Sequence, residues 1–315
     1  MTKPYFKAAN WNVMEQQVDK SAWSRLNDIV YEPGRIPLHK DKKEFLTLSP
    51  IEQKTLLHSF GSLSLSSTLQ MQKGISAIKQ DAVNAKEAAV FNALQYLESI
   101  NNKSYSYALD QLGTPDQRDE AYKWADENPY LQQKMYFLNT VYQSGTSLQK
   151  KVAQVFISTA LYHSAFFASL YLFGQGKLPR TAELIKCALR VTSFNGMYPG
   201  IKFRIAFNEL SKDKQEKLHE WIYDLADQMY ENEEKHIAYM YQNTGWADMV
   251  NHYVKYSLNK ALMNLGQDAK YPETADNIDP VVMQGLVESA DGEDFFFYTN
   301  RHALTKFREI KHFDE

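Results

Sequence analysis

From Ser49 onward, apolar residues recur every three to four positions, the spacing that gives a helix one buried stripe, and the recurrence persists through about Gly74. Ser49-Pro50 supplies an N-cap residue followed by a proline suited to the first helical turn. A second periodic run covers about 84–112. Thr114-Pro115 opens a third, with acidic residues in its first turns, and Pro129 stops it at about Asn128. Further helices are predicted at about 130–143, 147–174, 178–195, 212–243 and 246–265. Pro33, Gly34 and Pro37 predict an extended, wrapping segment over 1–45 rather than a helix, and the pattern loses regularity after about 270. Strand-like alternation is scarce, glycines number only 13, and no linker or repeat divides the chain. The pattern therefore predicts one all-α domain over 46–270, an N-terminal arm over 1–45 and a tail over 271–315.

One run tests this picture. "VAQVFISTALYHSAFFASLYLF", residues 152–173, has no charge and is about long enough to span a bilayer. Gln154, Ser158, Thr159, His163 and Ser164 interrupt it, and no second span accompanies it. A helix buried on all sides of a large bundle has the same pattern, and that is the reading adopted; His163 is then a core histidine.

Composition narrows the function more than the fold. The 315 residues are 23% charged with a formal net charge of −3, and like charges never run to five, so neither nucleic acid nor an anionic membrane is implied. Cys187 is the sole cysteine, which excludes internal disulfides and multi-thiolate metal sites and fits a reducing cytoplasm. It sits among apolar helical residues ("LIKCALR") and reads as structural. The opening "MTKPYFKAANWNV" lacks the apolar stretch of a signal peptide.

Chemistry enters through polar residues on helix faces that should be buried. In "ESINNKSYS", residues 98–106, Glu98, Asn101 and Tyr105 share one face at i, i+3 and i+7. In "RVTSFNGMYPG", residues 190–200, Thr192 and Asn195 again stand at i, i+3 before Gly196, Pro199 and Gly200, which predict an irregularity. Two such i, i+3 sites on two helices have the layout of a carboxylate-bridged dimetal bundle, with the wrong ligand types. A Glu-x-x-His, Glu233 to His236 in "NEEKHIAYMY", lies in a strongly charged stretch and reads as a solvated face.

Six ordered blocks, "EPGRIPL" (32–38), "STLQ" (67–70), "ESINNKSYS", "DENPYLQQK" (126–134), "KKVAQVF" (150–156) and "NKALMNLG" (259–266), make the chain resemble the small, radical-generating β subunit of class Ib ribonucleotide reductase over nearly its whole length. The resemblance implies a ferritin-like helical bundle, a homodimer, and a di-iron or di-manganese centre beside a tyrosine. That tyrosine is oxidised to a radical and passes the oxidation to the large (α) subunit, where ribonucleotides are reduced for DNA synthesis. The six family ligands fall on Ser67, Glu98, Asn101, Ser158, Thr192 and Asn195, and the radical tyrosine on Tyr105. Only Glu98 is a strong ligand for such ions, and one carboxylate cannot balance a centre carrying four or more positive charges.

The resemblance therefore implies a divergent member without a metal cofactor. It is closest in kind to a metal-free branch in which the tyrosine is hydroxylated to a DOPA-type radical with a flavodoxin-like partner and an oxygen-derived oxidant. The chain departs from that branch by losing both histidines and by carrying Thr192 where a lysine is expected. Glu98 is then the expected proton acceptor of Tyr105. The family's transfer tryptophan falls on Tyr31, and its tail tyrosine on about Ala303, with Tyr298 as stand-in. The C-terminus "TKFREIKHFDE" has mixed charge where the family's acidic tail docks on the large subunit. The alternative expectation is a non-catalytic paralogue that keeps the bundle as a structural or regulatory partner.

Overall fold

Helix starts are set by side chains that satisfy the first free N–H groups. The structure, a computed structural model, describes residues 8–13 and 15–287. Helix α1 spans Gln17–Asp28 and the short α2 Lys42–Phe45. Helix α3, Pro50–Leu69, begins with a reciprocal capping box between Ser49 and Glu52. A π-helical turn, Gln70–Gly74, joins it to α4, Ile75–Gln80. Asn84 caps α5, Ala85–Leu112; Thr114 and Gln117 box the start of α6, Pro115–Glu127; Asn128 caps α7, Pro129–Ser144. Helix α8, Ser147–Phe156, runs through a second π-helical turn, Ile157–Leu161, into α9, His163–Gly174. Then follow α10, Pro179–Phe207, α11, Lys212–Met240, α12, Ala247–Asn264, and α13, Pro280–Val287. No strand occurs among the described residues, as the all-α pattern predicts.

Helix α3 packs on α5, α5 on α10, α10 on α8, and α9 closes back on α3, so four helical walls enclose one core. The apolar run forms one of these walls: 89% of its most apolar 18-residue window is buried inside the bundle. Its histidine is satisfied there, with His163 Nδ1 2.7 Å from Tyr253 Oη.

Three expectations are corrected. The arm contains α1, because the proline and glycine signals act only over 33–37 while Val18, Ala22 and Leu26 form a helical stripe that is buried on the bundle. Buried Asp19 pins it, accepting from Lys202 Nζ at 3.1 Å and Tyr198 Oη at 2.8 Å; Lys202 also meets Glu87 at 3.2 Å. Second, α10 does not stop at 195 but runs on through Pro199 to Phe207. The glycines there serve close approach instead: a Cβ on Gly196 would run into Thr159 Oγ1, and one on Gly200 would lie 2.8 Å from the Asn264 carbonyl oxygen.

Third, Glu233 and His236 are fully buried, not solvated. Glu231, Glu234 and Lys235 take the exposed positions, leaving Asn232, Glu233, His236, Ile237 and Met240 on an inward stripe. Lys134 Nζ pairs with Glu233 at 2.7 Å and Ser164 donates to the same carboxylate.

Gly200→Ala is expected to destabilise the protein by about 1–3 kcal/mol, because the obstructing atoms are backbone and α12 must shift. A thermal melt equal to wild type would refute close helix approach as the role of this glycine.

Candidate functional site

All six positions singled out by the resemblance lie inside the helical walls: Ser67, Glu98, Asn101, Ser158, Thr192 and Asn195 are each at most 1% exposed. They come from α3, α5, the π-helical turn after α8, and α10. Glu98 is the centre. Its Oε1 accepts from Tyr162 Oη at 2.6 Å and its Oε2 from Asn195 Nδ2 at 2.7 Å. Asn101, one turn along α5, adds a further hydrogen bond to the carboxyl.

From Asn101 the network continues outward. Its Oδ1 accepts from Tyr31 Oη at 2.9 Å, and Ser104 Oγ lies 2.8 Å from the same phenol. Its Nδ2 reaches the Ala188 carbonyl at 3.5 Å, where Thr192 Oγ1 donates at 2.8 Å. Thr192 is thus turned to its own helix backbone. On the opposite side Ser158 Oγ accepts from Gln154 Nε2 at 3.0 Å, and Tyr142 Oη joins Gln154 Oε1 at 3.3 Å to Gln70 Oε1 at 3.0 Å. Ser67 donates to the Ser64 carbonyl at 3.1 Å and accepts from Asn102 Nδ2 at 2.8 Å, so no hydrogen bond ties it to Glu98.

Burial dominates the electrostatics. Desolvation raises the Glu98 carboxyl from its ordinary 4.5 to about 7, against the pull of the hydrogen bonds from Tyr162, Asn195 and Asn101. Tyr105, fully buried, is pushed well above the ordinary phenol range by desolvation and then by the field of Glu98. Tyr105 Oη has no hydrogen-bond partner among the described residues, and neither do Asn195 Oδ1 and Gln70 Nε2. Burial also raises Tyr31 and Tyr162.

This donor set does not fit a dimetal centre. Its single carboxylate already accepts from a phenol and an amide, and its hydroxyls are turned to helix carbonyls or amides. Neutral oxygen and amide donors bind iron or manganese weakly and leave the ionic charge unbalanced. Among the described residues no cluster of three or more His, Cys, Asp or Glu has the proximity a metal site requires.

The structure brings together Glu98, Asn101, Asn195, Tyr31 and Tyr105, and holds Ser67, Ser158 and Thr192 in the surrounding wall. Tyr298, Ala303 and the mixed-charge C-terminus lie outside the described residues. Sequence reasoning missed Tyr162, the tightest partner of Glu98. Its signal was its place four residues beyond Ser158, on the same helical face, but among 20 tyrosines that spacing reads as packing. Gln70, Tyr142 and Gln154 were also missed as members of the polar network.

Glu98 sets a pH dependence whose sign follows from its raised carboxyl. The folded chain holds this proton to higher pH than the unfolded chain, so burial of Glu98 destabilises progressively as pH rises from 4.5 to about 7 and no further above that. Glu98→Gln removes the term. Relative to this variant, wild type is expected to lose about 3 kcal/mol across the window in denaturant titrations. Parallel stability profiles for the two proteins would contradict the buried, protonatable carboxyl.

Comparison with known proteins gives these positions a family. Residues 8–280 match the family described as "Ribonucleotide reductase, small chain". The chain is 32% identical over 308 residues to ribonucleoside-diphosphate reductase 2 subunit beta of Escherichia coli strain K12, covering 98% of this chain and 97% of that one. It is 33% identical to the subunit beta nrdF1 of Mycobacterium tuberculosis, covering 92% and 90% of the two chains. The crystal structure of dimanganese(II)-NrdF from Streptococcus sanguinis superposes with a TM-score of 0.88 at 45% identity, over 90% of this chain and all of that one. With the fold, a ferritin-like helical bundle, and the sequence in agreement over nearly the full length, the chain belongs to the small-chain family of ribonucleotide reductases.

Proposed function

We propose that this chain is the β subunit of a ribonucleoside-diphosphate reductase that keeps a phenol-based radical in the Glu98 pocket without a dimetal centre. The observation that carries the reading is the state of Glu98: both oxygens are held by neutral donors, and burial raises the carboxyl to about 7. Such a group suits proton exchange with a phenol rather than charge balance for metal ions. Tyr105 is the storage phenol in this reading, fully shielded from solvent reductants and within the field of Glu98. Tyr31, bonded to Asn101 on the outer side, is the first carrier toward the large subunit.

Removing the metals removes the local oxidant. A radical then needs an external, oxygen-derived oxidant delivered by an activating protein of flavodoxin type, and a ring that oxidises more easily than tyrosine. Hydroxylation of Tyr105 to a DOPA-type ring meets the second need. The reading includes a homodimer, docking of the tail on a large subunit, and a cytoplasmic setting.

Peptide mapping of protein taken from its native host is expected to show one extra oxygen on the Tyr105 peptide. Tyr105→Phe is expected to abolish turnover with the large subunit while leaving the melt near wild type. An unmodified Tyr105 together with a fully active Tyr105→Phe variant would overturn the reading in favour of a non-catalytic or differently acting paralogue.

A further inference from the structure

Oxidising a phenol near neutral pH releases a strongly acidic proton, so the step is easy only where a base accepts it along an existing hydrogen bond. Tyr105 has no such partner. Tyr162 has one: its Oη donates to Glu98 Oε1 at 2.6 Å, while Asn195 fixes the other oxygen and prevents the carboxyl from turning away. Both side chains are at most 2% exposed, so the proton cannot be lost to bulk water instead.

A second, independent observation joins Tyr162 to the protein surface. Its ring lies 5.9 Å from Phe166, which is 5.9 Å from His163; His163 is 5.2 Å from Tyr253, Tyr253 is 6.2 Å from Phe167, and Phe167 stacks at 5.5 Å on Tyr171. Tyr171 is partly exposed. Along this ladder Tyr253 also has a base, His163 Nδ1 at 2.7 Å, and burial keeps that imidazole neutral, with its pKa lowered to about 3. The ladder follows α9, with Tyr253 supplied by α12, whereas Tyr31 lies in the segment between α1 and Pro33.

We propose that Tyr162, with Glu98 as its base, is the proton-coupled redox phenol of the pocket and the port through which an electron leaves it. The inference rests on the metal-free radical function proposed above and names the residue through which oxidation enters. The Tyr162 O–H bond breaks, the proton goes to Glu98 Oε1, and one electron leaves the ring. In the cell the acceptor is a one-electron oxidant of the superoxide class, which takes up that electron and two solvent protons to give hydrogen peroxide. The product is a neutral Tyr162 phenoxyl hydrogen-bonded to a neutral carboxylic acid, so no net charge is created in the core.

The test is freeze-quenched electron paramagnetic resonance of the whole chain after flash-generated tris(bipyridine)ruthenium(III), for wild type, Tyr162→Phe, Tyr105→Phe and Glu98→Gln. Exposed phenols such as Tyr96 and Tyr136, 59% and 64% exposed, add the same background to all four. Wild type is expected to form a persistent buried phenoxyl as the Tyr162 proton passes to Glu98 along their hydrogen bond. Tyr162→Phe is expected to lose at least nine-tenths of it, and Tyr105→Phe to retain the early signal. Glu98→Gln, which removes the base, is expected to form it at least about tenfold more slowly. Tyr162→Phe keeps the ring, and a melt within a few degrees of wild type shows that the loss is not unfolding. A wild-type signal in Tyr162→Phe with loss in Tyr105→Phe would overturn the inference and leave the proposed function standing. A wild-type rate of radical formation in Glu98→Gln would overturn the role of the base. A wild type with no buried radical, and no turnover with the large subunit, would overturn the proposed function as well.

Discussion

Taking the Glu98 carboxyl out of water is unfavourable by several kcal/mol in its charged form unless its oxygens are hydrogen-bonded or neutralised. In the dimetal layout of this family, cations and further ligands meet that demand. Here a phenol and two amides meet it: Tyr162 and Asn195 take one oxygen each, and Asn101 adds a third donor. Donors lower the carboxyl and desolvation raises it, and desolvation wins, leaving the group at about 7. The other polar positions of the wall obey the same constraint. Ser67, Thr192 and Ser158 carry small hydroxyl groups that are satisfied on neighbouring carbonyls or amides, so none of the three leaves an unpaired hydroxyl in the wall.

The bundle supports this pocket through backbone irregularity as well as regular helices. Both π-helical turns, Gln70–Gly74 and Ile157–Leu161, lie beside it, and each widens a wall next to a residue of the polar network, Gln70 and Ser158. Gly196 and Gly200 bring α10 close to the second of these turns and to α12, which holds Asn195 within reach of Glu98. Two buried charge clusters, Asp19 with Glu87 and Lys202, and Lys134 with Glu233, lock outer helices onto the core without touching the pocket. Both are specificity devices in physical terms, because breaking either pair strands a charge in the interior.

Much of the fold was legible because caps carry local physics. Ser49 with Glu52, Thr114 with Gln117, and Asn128 before Pro129 all start helices where the sequence predicts them. Pro199 misled because a proline removes only one N–H, and a helix fixed by neighbours on all sides tolerates the loss. Glu233 and His236 misled because the exposed charges around them hide a 3.6-residue period. At the site, Glu98, Asn101 and Asn195 could be singled out from helical spacing and Tyr31 from the resemblance, but their hydrogen bonds could not. Tyr162 was invisible because nothing in a sequence distinguishes a phenol that packs from one that donates to a buried carboxylate across helices.

In the function proposed above, the pocket is chemically self-sufficient around Glu98 and holds no pair of metal ions. Its most direct test is metal analysis of the folded chain after reconstitution with excess iron(II) and manganese(II) and exhaustive desalting, with wild type compared to Glu98→Gln. The account predicts no stoichiometric metal in either protein. A pair of ions bound per wild-type chain and lost in Glu98→Gln would contradict it.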